Sequence, residues 1–78
     1  MSEVDLRARL VVAAALELAP ELVPLDASID SFEKWDSLGH LRVIASLEEA
    51  LGRPLETEEV LAVSDLASIA ALLGRAGS

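Results

Sequence analysis

The fifteen-residue run from Ser37 to Leu51 is bracketed by residues that start and stop helices, and it anchors the reading of the chain as helical. Asp36 can cap its start, with a side-chain oxygen accepting an orphan backbone N–H of the first turn. Gly52 suits the left-handed position after the last turn, and Pro54 prevents the helix from resuming. On a helical wheel Val43, Ile44, Leu47 and Leu51 form one face, with Leu41 at its margin. Leu38, Arg42, Ala45 and Glu49 form the opposite face. The first face is assigned to the core and the second to solvent. His40 points with Val43 and Leu47, so a packed or loop-bonded histidine is expected there.

The rest of the chain fits the same class. Its 78 residues are expected to form one small domain, ordered over about residues 3–74 with a frayed tail over 75–78. Hydrophobic residues make up 53% of it, but they are mostly Ala, Leu and Val, with one Phe, one Trp and no Tyr, which favours helices over strands. A first helix is expected from a capping box at Ser2-Glu3-Val4-Asp5 to about Leu18, stopped by Pro20. Its apolar stripe is Leu6, Leu10, Ala14 and Leu18, with Val11 and Ala13 beside it, while Arg7, Arg9 and Glu17 fall off it. From Pro20 to Asp36 the chain reads as a long ordered loop pinned to the core by Leu22, Leu25, Ile29 and Phe32. A short third helix is expected from Thr57, acting as cap, through Leu61. Ser64 is expected to cap a last helix carrying Leu66, Ile69, Ala70 and Leu73, with Gly74 closing it.

Charge and composition exclude several functions. A net charge of −8 argues against nucleic acid or an anionic membrane surface as partner and favours basic partner surfaces. Without cysteine there is no disulfide, thiol nucleophile or thiolate metal site. The N-terminus is acidic where a signal peptide would be basic, and the apolar run from Leu10 to Leu16 is too short to span a bilayer, so a soluble cytoplasmic protein is expected; it is also expected to be a monomer. With one histidine and no cysteine a metal site is not expected, the scattered carboxylates reading as solvated surface, and a serine nucleophile lacks an oriented base.

Ser37 is the residue to which the sequence points. At the first helical position its hydroxyl lies at the positive end of a helix dipole, where a phosphate is held favourably. Asp36-Ser37-Leu38, followed by a helix ending in Leu47-Glu48-Glu49-Ala50-Leu51-Gly52, resembles the Asp-Ser-Leu motif and second helix of acyl carrier proteins. The resemblance spans the chain from the first helix to Leu73 and implies an all-α four-helix bundle with a long first loop and a short third helix. It further implies that Ser37 is converted to a phosphodiester of 4′-phosphopantetheine taken from coenzyme A, with Asp36 and Leu38 completing the motif. The thiol that this chain lacks would come from that arm, which would hold an acyl or aminoacyl group as a thioester for separate enzymes. The implied partners are a phosphopantetheinyl transferase, an acyl- or aminoacyl-loading enzyme and downstream biosynthetic enzymes.

Ser31, in Asp30-Ser31-Phe32, is a competing acidic-serine-apolar triplet, but no uninterrupted amphipathic run follows it. The outward face of the second helix is the expected docking surface, with Leu38 as apolar anchor, Ala45 allowing close approach, and Arg42, Glu48 and Glu49 supplying charge. Many fatty-acid carriers have glycine and a small residue before the motif and acidic residues along the second helix. This chain instead has Lys34-Trp35 before it and Gly39 and Arg42 within it. Trp35-Asp36-Ser37-Leu38-Gly39-His40 is similar to stand-alone carriers of polyketide, nonribosomal peptide and related secondary metabolism. The rival function is a small helical interaction module that is never phosphopantetheinylated.

Overall fold

The computed structural model describes residues 3–76. Four helices follow one another: α1 (Glu3–Leu16), α2 (Ser37–Leu51), α3 (Thr57–Ala62) and α4 (Leu66–Ala76), with a 3-10 turn at Pro20–Leu22 in the first loop. The all-α bundle with a long first loop and a short third helix is therefore as the resemblance implies. Ser2, the expected cap of α1, lies outside the described residues.

α1 is the central element, packing against both α2 and α4. That position reverses its expected orientation. The buried face is Ala8, Val12 and Ala15 with Ala13, while Leu6 and Leu10 are 47% and 46% exposed and Ala14 is also exposed. A helix packed closely on two sides needs small residues at both contacts, so the larger leucines turn outward and alanine and valine fill the seams. Of the expected stripe only Leu18, beyond the helix end, packs against the core, although Val11 and Ala13, expected beside it, do so as well.

The end of α1 is also set differently. The helix stops at Leu16, ahead of Pro20, in a turn where Leu18 N–H donates to Ala13 O at 2.9 Å and Glu17 N–H to Ala14 O at 3.3 Å. These are the two bonds of a Schellman motif. They place Glu17 in the left-handed region at φ 57°, a position that usually falls to glycine.

The first loop is ordered, but by other residues than expected. Leu22 and Leu25 are 60% and 61% exposed, whereas Val23, Ala27 and Trp35 are buried and Ile29 and Phe32 partly so. The 3-10 turn ends on Val23, whose N–H donates to Pro20 O, and this directs Val23 rather than Leu22 inward. Arg9 Nε then holds Val23 O at 2.8 Å. Further on, Ile29 N–H donates to Ser64 O at 2.8 Å and Leu66 N–H to Ala27 O at 3.2 Å, tying the loop to the start of α4. The loop is thus held by backbone bonds as well as side chains, which satisfies polar groups that a buried segment would otherwise leave unpaired.

α2 has the expected limits, with Asp36 as cap and Gly52 left-handed at φ 74°. Val43 and Leu47 are fully buried and Ile44 and Leu51 pack against the core. Leu41, assigned to the margin of that face, is instead 66% exposed. α3 is capped by Glu56, not Thr57, and Glu56 N–H donates back to Glu59 Oε1 at 2.9 Å. The start of α4 is organised by Asp65 rather than Ser64: Asp65 Oδ1 accepts Ser68 N–H at 2.8 Å and Asp65 N–H donates to Ser68 Oγ at 3.1 Å. Leu66, Ile69, Ala70 and Leu73 are buried, joined by Leu72. Gly74 does not close α4, which continues to Ala76. Gly74 keeps negative-φ helical backbone instead of the left-handed conformation with which Gly52 ends α2.

Candidate functional site

The start of α2 is built from three backbone constraints. Asp36 is extended, at φ −86° and ψ −171°, and its Oδ1 accepts Gly39 N–H at 2.7 Å. Its carbonyl accepts His40 N–H at 2.7 Å. Gly39 is buried, and a Cβ there would lie 2.7 Å from Leu16 Cδ2 and 3.0 Å from Lys34 O, so the helix start lies flush against the end of α1. Ser37 and Leu38 are the residues left facing solvent, Leu38 at 60% exposure. Their N–H groups fall in the first turn and have no acceptor within the helix.

Trp35 is the residue the sequence undervalued. It is 1% exposed and the largest fully buried side chain among the described residues, although in the sequence it figured only as a departure before the motif and a mark of the subfamily, not as a core residue. The signal was its solitude: the one Trp of an aromatic-poor chain has a large area to bury. Its indole Nε1–H donates to His40 Nδ1 at 3.1 Å, with ring centroids 6.3 Å apart. His40 is thus the packed, loop-bonded histidine expected from the wheel. The indole can only donate, so Nδ1 is the accepting nitrogen of this pair.

The family model for the phosphopantetheine attachment site matches residues 7–73, from the first turns of α1 to Leu73 in α4. The chain belongs to that family, that of the acyl carrier proteins. Among curated proteins no match to the chain was found. Members of the family are carriers rather than catalysts: 4′-phosphopantetheine is bound to them covalently, and transferase and biosynthetic enzymes act on them.

Two exposed serines of this carrier differ in their surroundings. Ser31 Oγ is 2.9 Å from Ser28 Oγ and accepts Ser28 N–H at 3.2 Å. Ser37 Oγ enters no such bond among the described residues. On the outward side of α2, Leu38, Arg42, Ala45 and Glu49 are all exposed, and Leu41 adds to this apolar surface. Glu48 is half-buried, and its Oε2 accepts Leu55 N–H at 2.8 Å, so this carboxylate braces the connection to α3.

That connection holds the carrier's clearest electrostatic feature. Arg53 donates through both terminal nitrogens to Glu59, each at 2.9 Å, and Arg75 Nη2 lies 3.6 Å from the same carboxylate. The Arg53 hydrogen bonds, followed by the Glu56 N–H, lower the Glu59 carboxyl from its ordinary 4.5 to about 2, and the same pairing raises Arg53. Among the described residues no group of three or more His, Asp or Glu is placed to hold a metal ion. No helix among the described residues is long and apolar enough to cross a membrane.

Proposed function

We propose that Ser37 Oγ carries the phosphopantetheine and that this protein holds an acyl or aminoacyl group for separate enzymes of polyketide, nonribosomal peptide or related secondary metabolism. The observation that supports this most is the contrast between the two serines: the Ser37 hydroxyl is exposed and unengaged, while Ser31 Oγ is committed to Ser28. The residues at the start of α2 fit a phosphodiester. Asp36 spends its carboxylate on Gly39 N–H, leaving the Ser37 and Leu38 N–H groups and the positive helix end for an anion. When bound, the arm supplies a terminal thiol as acyl acceptor. The residues of this chain bind and present it.

The proposed docking surface is Leu38, Arg42, Ala45 and Glu49, with Glu48 at its edge. The subfamily rests on the similarity of Trp35–His40 to stand-alone carriers; residues 3–74 act as one carrier domain, monomeric and cytoplasmic. Intact-protein mass after incubation with a phosphopantetheinyl transferase and coenzyme A tests the attachment. Wild type and Ser31→Ala should gain the cofactor mass and Ser37→Ala should not. Modification of Ser37→Ala would move the site elsewhere, and an unmodified wild type would favour the rival interaction module.

A further inference from the structure

We propose that His40 is a positioning residue for the modification of Ser37, acting through its hydrogen bond to the Trp35 indole. This rests on Ser37 being the attachment residue. The Trp35 side chain is 1% exposed, and its N–H is satisfied by His40 Nδ1 at 3.1 Å. A buried donor deprived of its acceptor is destabilising, so the bond holds the ring where it is. Trp35 and His40 stand at the two ends of a six-residue segment whose middle carries Ser37.

The segment is closed from both sides. Trp35 N–H donates to Phe32 O at 2.9 Å, and His40 N–H donates to Asp36 O at 2.7 Å. Asp36 Oδ1 accepts Gly39 N–H, and Gly39 has no room for a side chain against Leu16 and Lys34 O. With Trp35, Gly39 and His40 turned inward, only Asp36, Ser37 and Leu38 of the segment are exposed. The cap and the core face of α2 suffice to form the helix. The indole–imidazole bond adds a different constraint, fixing the chain that enters the helix relative to its first turn. That relation decides how the Ser37 hydroxyl is offered to a transferase.

The test compares His40→Leu, which removes the acceptor, with His40→Asn, which keeps an oxygen at the δ position, and with Trp35→Phe, which keeps a buried ring without a donor. Three measurements are made on each: the urea midpoint, the hydrogen exchange of the indole N–H in wild type and the His40 variants, and kcat and KM for cofactor loading by the transferase. In His40→Leu the indole N–H should exchange about tenfold faster and kcat/KM for loading should fall about tenfold, the effect of one lost bond to a buried donor. His40→Asn should recover most of both. The double variant Trp35→Phe/His40→Leu should load no worse than either single variant, because both remove the same bond. Wild-type loading of a folded His40→Leu protein would overturn the proposal. So would additive losses with no recovery in His40→Asn, which would make His40 a matter of bulk alone. An unloaded wild type, or a loaded Ser37→Ala, would instead sink the assignment of Ser37, while indole exchange would still report on the bond.

Discussion

Among the described residues two hold left-handed backbone, Glu17 at φ 57° and Gly52 at φ 74°, and they should answer substitution in opposite senses. A side chain in this region costs roughly 1–2 kcal/mol. Glu17→Gly relieves that strain but gives the unfolded chain more freedom, so it should raise stability by no more than about 1 kcal/mol. Gly52→Ala should lower stability by roughly 1–2 kcal/mol through the dihedral alone, since nothing lies within 4 Å of the added Cβ. Urea midpoints of the two variants check both signs. A midpoint lowered by Glu17→Gly would mean that the Glu17 side chain stabilises the turn.

At the scale of elements, α2 divides into a buried face that holds the fold and an exposed face, the one proposed for docking. Leu47 is fully buried, and its truncation to alanine should cost roughly 2–5 kcal/mol. Ser37 is exposed and Asp36 does the capping, so Ser37→Ala should change the urea midpoint far less. Similar losses in the two variants would contradict this division. α3 is too short to be secured by propensity and depends on its ends, where Glu59 links Arg53, Arg75 and the Glu56 N–H. Its folded pKa of about 2 lies below the ordinary 4.5. The ionised carboxylate therefore stabilises the fold above the ordinary value, and that contribution is lost as pH falls toward 2. Wild type should be more stable than Glu59→Gln near neutral pH, and the gap should narrow at about pH 3. A gap that stayed constant between those conditions would place the effect in shape rather than charge.

For the whole molecule, the net charge of −8 sets how it meets other proteins. Partner enzymes should present basic surfaces, and association should slow as salt screens the attraction over about 8–10 Å. Arg42 departs from this pattern: it is a positive charge on the proposed docking face and calls for an acidic contact on the partner, so Arg42→Glu should weaken binding to the cognate loading enzyme despite the overall attraction to basic surfaces. Leu38→Ala should weaken it through roughly 1–3 kcal/mol of lost apolar burial at a well-packed contact. Binding by fully modified protein, measured across several salt concentrations, checks both. Unchanged affinity in both variants would shift the docking surface to the first loop or to the segment from Glu56 to Glu59.

The sequence by itself determined what depends on neighbours along the chain. The limits of α2, its Asp36 cap and its left-handed Gly52 are local chemistry, so they could be read from a few consecutive residues, as could the motif around Ser37. The number and order of helices followed from the spacing of apolar residues and prolines in the same way. Tertiary structure decided what depends on partners distant in the chain. Leu6 and Leu10 are larger than Ala8 and Val12, yet the smaller residues are buried, because α1 lies between α2 and α4 and only small side chains fit both seams. Val23 and Ala27, rather than Leu22 and Leu25, anchor the first loop because the 3-10 turn and the bonds to Ser64 and Leu66 orient it. The Trp35–His40 pair belongs to both categories. Both residues were in plain view five positions apart, but an indole N–H seeks a side-chain acceptor only once burial has removed water, and burial is a property of the packed whole.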